Sequence, residues 1–273
     1  MPGGRVSATV WGMATDLPSE ILEVADAKLD LPRLGGMARP NGVVIVSERF
    51  WAFATSAGDL YEGTMPTRRT RVGRIPLVRG LLQLASSVTP LARGRGVARG
   101  RERLFLLAAF AASFSVVALP ARLELPAGLV LTVVLLAWLF RGGTLRLHGA
   151  EHRAIAAAEQ RRLQAAWSGT ARPSRFSPRC GTNFAALALP VTVAAERLWP
   201  VAGASTAASL FVAVLALAVT MELWKAVQHP SGLLRGLLLP GLALQRLTTR
   251  EPELADTRVA LTAVASVLRR ELA

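Results

Sequence analysis

Residues 104–140 give the first evidence for the fold, because they contain two apolar runs separated by a short polar break. They read LFLLAAFAASFSVVALP at 104–120, ARLE at 121–124 and LPAGLVLTVVLLAWLF at 125–140. Each run is close to the lower limit of about 17 residues for a helix that crosses a bilayer. Since only Arg122 and Glu124 interrupt the apolar sequence, we expect a hairpin of two transmembrane helices.

Two further apolar runs follow, and the arginines around all four runs indicate their orientation. The third run, from Phe184 to about Gly203, is interrupted by Glu196 and Arg197, whereas Thr206–Leu223 contains only the charge of Glu222. Arginines are frequent before the first run and between the second and third runs, and they are rare in the other two turns. By the positive-inside rule, this pattern predicts four spans with both termini and the middle loop in the cytoplasm.

The alternative is a soluble helical protein whose apolar helices are buried, and the composition argues against it. The 273 residues are 52% hydrophobic and 18% charged, whereas a soluble domain is usually about 25% charged. The apolar content also excludes a disordered chain, and a single cysteine excludes a disulfide scaffold. The formal net charge is +14. Because the predicted topology accounts for the arginines and no aromatic-basic module is visible, direct nucleic-acid binding is disfavoured.

The segments outside the apolar runs predict a small sheet and short helices. Val43–Val46, Phe50–Ala54 and Leu60–Thr64 are short and rich in β-branched or aromatic residues, which predicts a β-meander. Ile75–Leu91 has apolar residues at helical spacing beside arginine-rich flanks. It predicts an amphipathic helix, either on the membrane surface or packed on the meander. Leu233–Leu244 is too short to span, so an interfacial or re-entrant segment is expected.

The sequence therefore predicts a mainly α, polytopic membrane protein with about four short transmembrane helices, a small N-terminal cytoplasmic β-meander and amphipathic interfacial helices. Six segments follow from this interpretation. They are an N-terminal extension (1–33), the meander with the amphipathic helix (34–103), a transmembrane hairpin (104–140), a cytoplasmic loop (141–183), a second transmembrane hairpin (184–224) and cytoplasmic or interfacial C-terminal helices (225–273).

One motif with chemical meaning lies in the loop 141–183. His148-Gly149-Ala150-Glu151-His152 separates two of the three histidines by four residues, which places both imidazoles on one face of a helix. The spacing H-x-x-E-H is that of the inverzincin metalloproteases, in which the glutamate acts as general base on a metal-bound water. His148 and His152 are therefore candidate metal ligands, and Glu151 is a candidate catalytic base. The alternative is a structural role, in which the histidines hydrogen-bond to backbone or lipid headgroups.

A metal ion needs at least a third ligand, and Cys180 is the best candidate. It lies just before the third apolar run, so it is expected to return to the same cytoplasmic face. A thiolate with two imidazoles suits zinc, whereas the alternative for a lone cysteine is a small buried hydrophobic residue. Glu159 lies seven residues beyond His152, a rise of about 10 Å that a single ion does not bridge. Glu222 and His229 are further candidates.

Five motifs occur in a fixed order along the chain. They are Gly35-Gly36-Met37 through Asn41-Gly42-Val43, Arg74-Ile75-Pro76-Leu77-Val78-Arg79-Gly80, the histidine motif at 148–152, Pro178-Arg179-Cys180-Gly181-Thr182, and Leu244-Gln245-Arg246-Leu247-Thr248-Thr249-Arg250-Glu251-Pro252. From about residue 34 to the C-terminus, the chain resembles the YqhQ-like bacterial membrane proteins, a family catalogued mainly as a domain of unknown function. The resemblance implies a metal-dependent enzyme in the bacterial cytoplasmic (inner) membrane.

The sequence departs from the pattern of this family at two places. Ser177 stands where members commonly have a histidine, and Val44-Ile45-Val46 stands where they often have a methionine-rich stretch. If the missing histidine is an obligatory ligand, its replacement by Ser177 weakens metal binding in this chain.

Two functions of different classes are consistent with the sequence. The first is a metal-dependent hydrolase at the cytoplasmic membrane face, with His148, His152 and Cys180 as ligands of a divalent metal, zinc by preference, and Glu151 as base. The alternative is a non-enzymatic membrane scaffold or a regulator of other membrane proteins. A transporter is least supported, because there is no inverted repeat and no cluster of intramembrane charges. The expected partners are the lipid bilayer, with other membrane proteins or a second copy of the chain, and no nucleic acid.

Overall fold

The computed structural model describes residues 5–6, 17–66, 75–117, 119, 121–199, 206–228 and 233–273. The chain divides into two compact units. Unit 1 comprises Met1–Met65, Thr89–Pro173 and Glu251–Ala273, and unit 2 comprises Pro66–Val88 and Ser174–Arg250. Arg74 of the second motif and the candidate ligand His229 lie outside the described residues.

The structure is mainly helical, with a small antiparallel sheet. The strands are β1 (Arg5–Val6), β2 (Gly35–Arg39), β3 (Gly42–Val46), β4 (Phe50–Thr55) and β5 (Leu60–Thr64). The helices are α1 (Leu17–Asp26), α2 (Val78–Ser87), α3 (Thr89–Arg93), α4 (Gly100–Val117), α5 (Ala121–Leu139), α6 (Thr144–Glu159), α7 (Leu163–Ser168), α8 (Gly181–Leu198), α9 (Thr206–Val227), a 3-10 helix (Leu233–Leu238), α10 (Leu239–Thr248) and α11 (Leu254–Leu272).

Unit 1 is built on an antiparallel sheet with the strand order β1-β5-β4-β3-β2. Strands β2 to β5 form a meander, in which Val44 of β3 lies opposite Phe53 of β4. Alternate side chains point to opposite faces, and both faces are covered. Val43 and Ile45 belong to the main core with α6 and α11, whereas Val44 and Phe53 pack with Val97 on the other face.

Helix α11 lies at the centre of the core of unit 1. Its residues 263–268 are all buried, which is the pattern of a helix that is enclosed by protein on every side. It begins at a capping box, in which Glu253 accepts a backbone N–H of the first turn and its own N–H donates to Asp256 Oδ2 at 3.1 Å. Helix α6 packs between α11 and strand β2, so the helix that carries the histidine motif is held on two sides.

The prediction of four transmembrane helices is wrong. Among the described residues, one helix, Ala207–Val227 within α9, is long and apolar enough to cross a membrane. The helices Pro126–Leu139 and Thr144–Glu159 meet the same criteria only together, as one span bent by 69°. Since Thr144–Glu159 is the core helix α6, which buries Glu151 and Arg153, it is enclosed by protein and not by lipid.

Charges and prolines shorten the other apolar runs. Helix α4 begins at Gly100, so its first turn contains Arg101 and Arg103 with a glutamate between them. Pro126 separates the charged start of α5 from its apolar part, and the apolar part of α8 ends at Ala195. Within the described residues, none of these three runs forms a helix by itself that is long and apolar enough to span, and neither the multi-pass topology nor the predicted location of the termini is supported.

Unit 2 contains α2, α8, α9 and α10, and a glycine lies at the contact between α8 and α10. Helix α8 packs against both α9 and α10. A Cβ atom placed on Gly241 of α10 would lie 2.1 Å from Asn183 Oδ1 and 2.5 Å from Asn183 Cα. Because the second of these atoms belongs to the backbone of α8, the clash cannot be relieved by a side-chain rotation.

The substitution Gly241→Ala is therefore expected to destabilise unit 2 by about 1–3 kcal/mol, the usual cost of overpacking. The measurement is denaturant unfolding of the detergent-purified protein followed by circular dichroism. Gly236→Ala is the matched control, because a Cβ at Gly236 meets no atom within 4 Å. Equal unfolding curves for the two variants would show that α8 and α10 do not approach this closely.

Candidate metal centre

The candidate metal centre is built on α6, which places the two histidines of the motif on one face. The ring centroids of His148 and His152 are 4.4 Å apart, and the ring planes meet at 65°. His152 is 2% exposed, whereas His148 is half-buried. One imidazole is thus enclosed by protein while its neighbour remains accessible to a ligand or to solvent.

The start of α6 is fixed by the turn between β2 and β3. Gly142 adopts a φ of +61°, a left-handed conformation that favours glycine. The N–H of Gly143, which precedes the helix, donates to the carbonyl of Pro40 at 3.2 Å. The sheet therefore sets the position of the helix a few residues before the histidines.

Glu151 lies between the two histidines in sequence, but its carboxyl group is engaged with strand β2. A Cβ on Gly36 would lie 2.7 Å from Glu151 Cγ, so only glycine leaves room for this side chain. The backbone N–H of Ala38 donates a hydrogen bond to the carboxyl group. Glu151 is 6% exposed, and it is therefore held against the edge of the sheet.

The environment of Glu151 keeps its proton bound up to neutral pH. Burial raises the pKa of the carboxyl group to about 7, although the nearby charge of His148 and the Ala38 N–H both lower it. A carboxyl group with a pKa near 7 is able to accept or to donate a proton at neutral pH.

Cys180 belongs to unit 2, where it caps the N-terminus of α8. Its Sγ atom accepts hydrogen bonds from Thr182 N at 3.5 Å and from Thr182 Oγ1 at 3.2 Å. The side chain is buried. The preceding turn is fixed by Gln245, whose Oε1 accepts from the Ser177 N–H at 2.9 Å and whose Nε2 donates to the Ser177 carbonyl at 2.8 Å. The thiol therefore occupies a defined position in its own unit.

The chemistry of these donors fits a divalent metal ion. Two imidazole nitrogens and one thiolate are ligands that zinc accepts in proteins. Each of His148, His152 and Cys180 therefore supplies a donor atom of a kind that a metal ion binds. Glu159 is exposed at the end of α6. The roles of Glu151 as base and of the three residues as ligands remain predictions.

Arg153 is a residue beside the site that the motif does not reveal. It is 7% exposed, and its guanidinium donates to the carbonyls of Pro173 and Pro252 at 3.1 and 3.3 Å. It also pairs with Glu251 at 2.5 Å. Arg153 therefore ties α6 to the start of α11. The only sequence signal is an arginine next to His152 in an otherwise alanine-rich helix, which does not identify the partners.

Comparison with known proteins identifies the family of this chain. Residues 106–270, more than half of the sequence, match the family described as "Protein of unknown function (DUF1385)". The chain belongs to this family. The matched range includes α6, Cys180 and the span-length helix α9. No curated protein and no solved structure gives a significant match.

Proposed function

We propose that this protein is a metal-dependent hydrolase that acts at the cytoplasmic face of a bacterial membrane. His148, His152 and Cys180 are assigned as ligands of one zinc ion, and Glu151 is assigned as the general base. The observation that carries the proposal is the 4.4 Å separation of the two imidazole rings on one face of α6. The ordered motifs that resemble the YqhQ-like proteins support it. Cys180 is included as a ligand because zinc accepts a thiolate and because the residue lies just before the third apolar run of the sequence.

The chain itself supplies the orientation and the proton transfer. A zinc ion bound to such ligands would act as a Lewis acid and lower the pKa of a coordinated water. Glu151 would serve as the proton acceptor, with its carboxyl group held in place by the hydrogen bond from the Ala38 N–H. His148, as the more accessible of the two imidazoles, marks the side from which a substrate approaches.

The metal content of the purified protein tests the ligand assignment. We expect about one zinc per chain in the wild type and none above background in the double variant His148→Ala/His152→Ala, because the imidazoles are two of the three donors. Cys180→Ser is expected to weaken binding at least about tenfold, as loss of a donor costs at least as much as loss of a supporting contact. The measurement is inductively coupled plasma mass spectrometry after dialysis, with competition by a zinc chelator.

Glu159→Ala is the matched control, because it removes an exposed acid from the same helix and should leave the metal content unchanged. Wild-type protein without stoichiometric metal, or equal metal in the double histidine variant, would refute the proposed ligands. Assays of the hydrolysis of ester, phosphodiester and peptide probes then distinguish metal binding from catalytic turnover. Glu151→Gln should retain zinc and lose turnover if Glu151 is the base.

A second function, a non-enzymatic membrane scaffold or regulator, is favoured by a separate observation. Both residues that flank His152 are engaged in contacts within unit 1, Glu151 with strand β2 and Arg153 with the segments around Pro173 and Pro252. Such contacts are sufficient to explain the motif as a structural connection. Zinc-free protein that is fully folded, together with unchanged stability of the double histidine variant, would favour this function over the hydrolase.

A further inference from the structure

The positive charge of the chain is concentrated in unit 2. Its two segments, Pro66–Val88 and Ser174–Arg250, contain 12 basic and two acidic residues, which gives a net charge of +10. Unit 1 contains 20 basic and 16 acidic residues, a net charge of +4. Unit 2 therefore has most of the basic excess in a much shorter length of chain.

One of the two acids of unit 2 is neutralised by neighbouring cations. Glu222 of α9 accepts from Arg79 Nε at 2.9 Å and pairs again with the NH2 group of the same arginine. Lys225 lies 3.8 Å away on the next turn. The N–H of Leu77 also donates to this carboxylate. Helix α9 therefore carries a compensated charge at the end of its apolar stretch.

Unit 2 buries several polar side chains beside its apolar cluster of Leu187, Val227 and Leu238, while it exposes large apolar ones. Asn183, Thr220 and Gln245 are fully buried, with 0% exposure, whereas Leu189 is 69% and Phe211 is 66% exposed. By contrast, the fully buried side chains of the core of unit 1 are mainly large and apolar. They include Leu22, Val43, Ile45, Leu147, Leu163, Leu261 and Leu268.

Helix α2 also buries small or polar residues and exposes large apolar ones. Its buried residues are Gly80 and Ser86, and the backbone of Gly80 lies against Met221 of α9. Leu82 on α2 and Val88 at its end are 43% and 45% exposed. A helix that presents its small and polar residues to its neighbours and its large apolar residues outward is disfavoured in water, where apolar burial drives folding.

This arrangement is favourable in lipid. Lipid chains are as apolar as leucine, so helices in a bilayer associate through small residues and hydrogen-bonding side chains while apolar residues face outward. Helices α4 and α5 of unit 1 also expose leucine and valine, but no polar residue is described as fully buried within these two helices. Among the described residues, unit 2 combines exposed apolar residues, fully buried polar side chains, a span-length helix and a strong positive charge.

We propose that unit 2 is the lipid-binding module of this protein and that it inserts into bilayers containing anionic phospholipid. Helix α9 crosses the bilayer as a single span, and the exposed apolar residues of α2, α8 and α9 contact acyl chains. The basic residues bind the anionic headgroups. This proposal rests on the membrane location within the proposed function, and it is independent of the metal centre.

Vesicle flotation of the full-length protein tests the proposal. Detergent-purified protein is reconstituted by dilution with vesicles of phosphatidylcholine alone, or with about 30% phosphatidylglycerol added. We expect about tenfold more protein in the floated fraction with the anionic vesicles, because each basic residue near the surface adds to the attraction. The bound protein should resist extraction by alkaline carbonate. Equal flotation with both lipids, or release by carbonate, would overturn the proposal.

Single substitutions locate the inserted surface. Phe211→Arg places a charge on the exposed face of α9 and should lower flotation at least about tenfold, because a charge in the hydrocarbon layer is costly. Leu29→Arg in unit 1 is the matched control, since Leu29 is 93% exposed and should stay in water. The expected result is unchanged flotation.

Thiol labelling covers the case in which Phe211→Arg does not fold. In a Cys180→Ser background, Phe211→Cys should be protected from a water-soluble maleimide in vesicles, while Leu29→Cys reacts. Equal labelling of both thiols would overturn the insertion of α9. The variant His148→Ala/His152→Ala should float like the wild type. Wild-type protein that floats with anionic vesicles but contains no stoichiometric zinc would therefore count against the hydrolase and not against the lipid-binding module.

Discussion

Replacing Arg153 by methionine is expected to destabilise the protein by about 2–4 kcal/mol. The guanidinium is the donor to the carbonyls of Pro173 and Pro252, and methionine supplies no donor. Each buried carbonyl that loses its partner costs about 1–3 kcal/mol. Glu251 contributes less, because its side chain is 62% exposed and water replaces the lost ion pair. The measurement is the free energy of unfolding from denaturant titrations in mild detergent.

Arg146→Met is the matched control for this prediction. Arg146 lies on the same helix and also pairs with the start of α11, through Glu253 at 3.1 Å and Asp256 at 3.5 Å. Its side chain is 50% exposed, so the expected cost is at most about 1 kcal/mol. If Arg153→Met is no more destabilising than Arg146→Met, Arg153 does not connect these segments as described.

The second large effect is a pH-dependent stability that depends on Glu151. Burial raises the pKa of this carboxyl group from 4.5 to about 7 in the folded state. The folded protein therefore binds the proton more tightly than the unfolded chain. The resulting stabilisation is fully present below about pH 4.5 and is lost as the pH rises through about 7. The total loss corresponds to about 3 kcal/mol.

The comparison of wild type with Glu151→Gln isolates this effect. The amide is neutral at every pH and keeps an oxygen that can accept the Ala38 N–H. With a chelator present, the wild type should lose about 3 kcal/mol relative to Glu151→Gln between pH 4.5 and 7.5. Glu159→Gln, at an exposed position of the same helix, should show no such trend. A constant difference between wild type and Glu151→Gln across this range would contradict the raised pKa.

Local patterns in the sequence predict the strands and helices of unit 1 better than they predict which of these elements contact each other. The short β-branched and aromatic segments coincide with β3, β4 and β5 to within one residue, because this enrichment is a local property of the sequence. Four-residue spacing places His148 and His152 on one face of α6 for the same reason. The contact of Glu151 with Gly36 and Ala38 joins residues more than 100 positions apart, and no local pattern encodes it.

The number of transmembrane helices could not be predicted from the apolar content of the sequence alone. An apolar run that is bounded by charges predicts a span at 104–120, whereas helix α4 begins at Gly100 and includes the arginines that precede this run. Pro126 similarly shortens the apolar part of α5, and the apolar part of α8 ends at Ala195. The sequence also contains a clue to unit 2, since buried Gln245 lies in the last of the ordered motifs and buried Asn183 directly follows the fourth. Their burial, however, depends on helix packing that composition does not report.

Strand β2 is the outermost strand on its side of the described sheet, and helix α6 covers it. An uncovered edge strand offers unpaired N–H and C=O groups to any other chain. Because the Ala38 N–H is bound by Glu151, the helix of the candidate metal centre also protects the sheet against intermolecular pairing. Variants that loosen α6 are therefore expected to expose β2 as a template for aggregation.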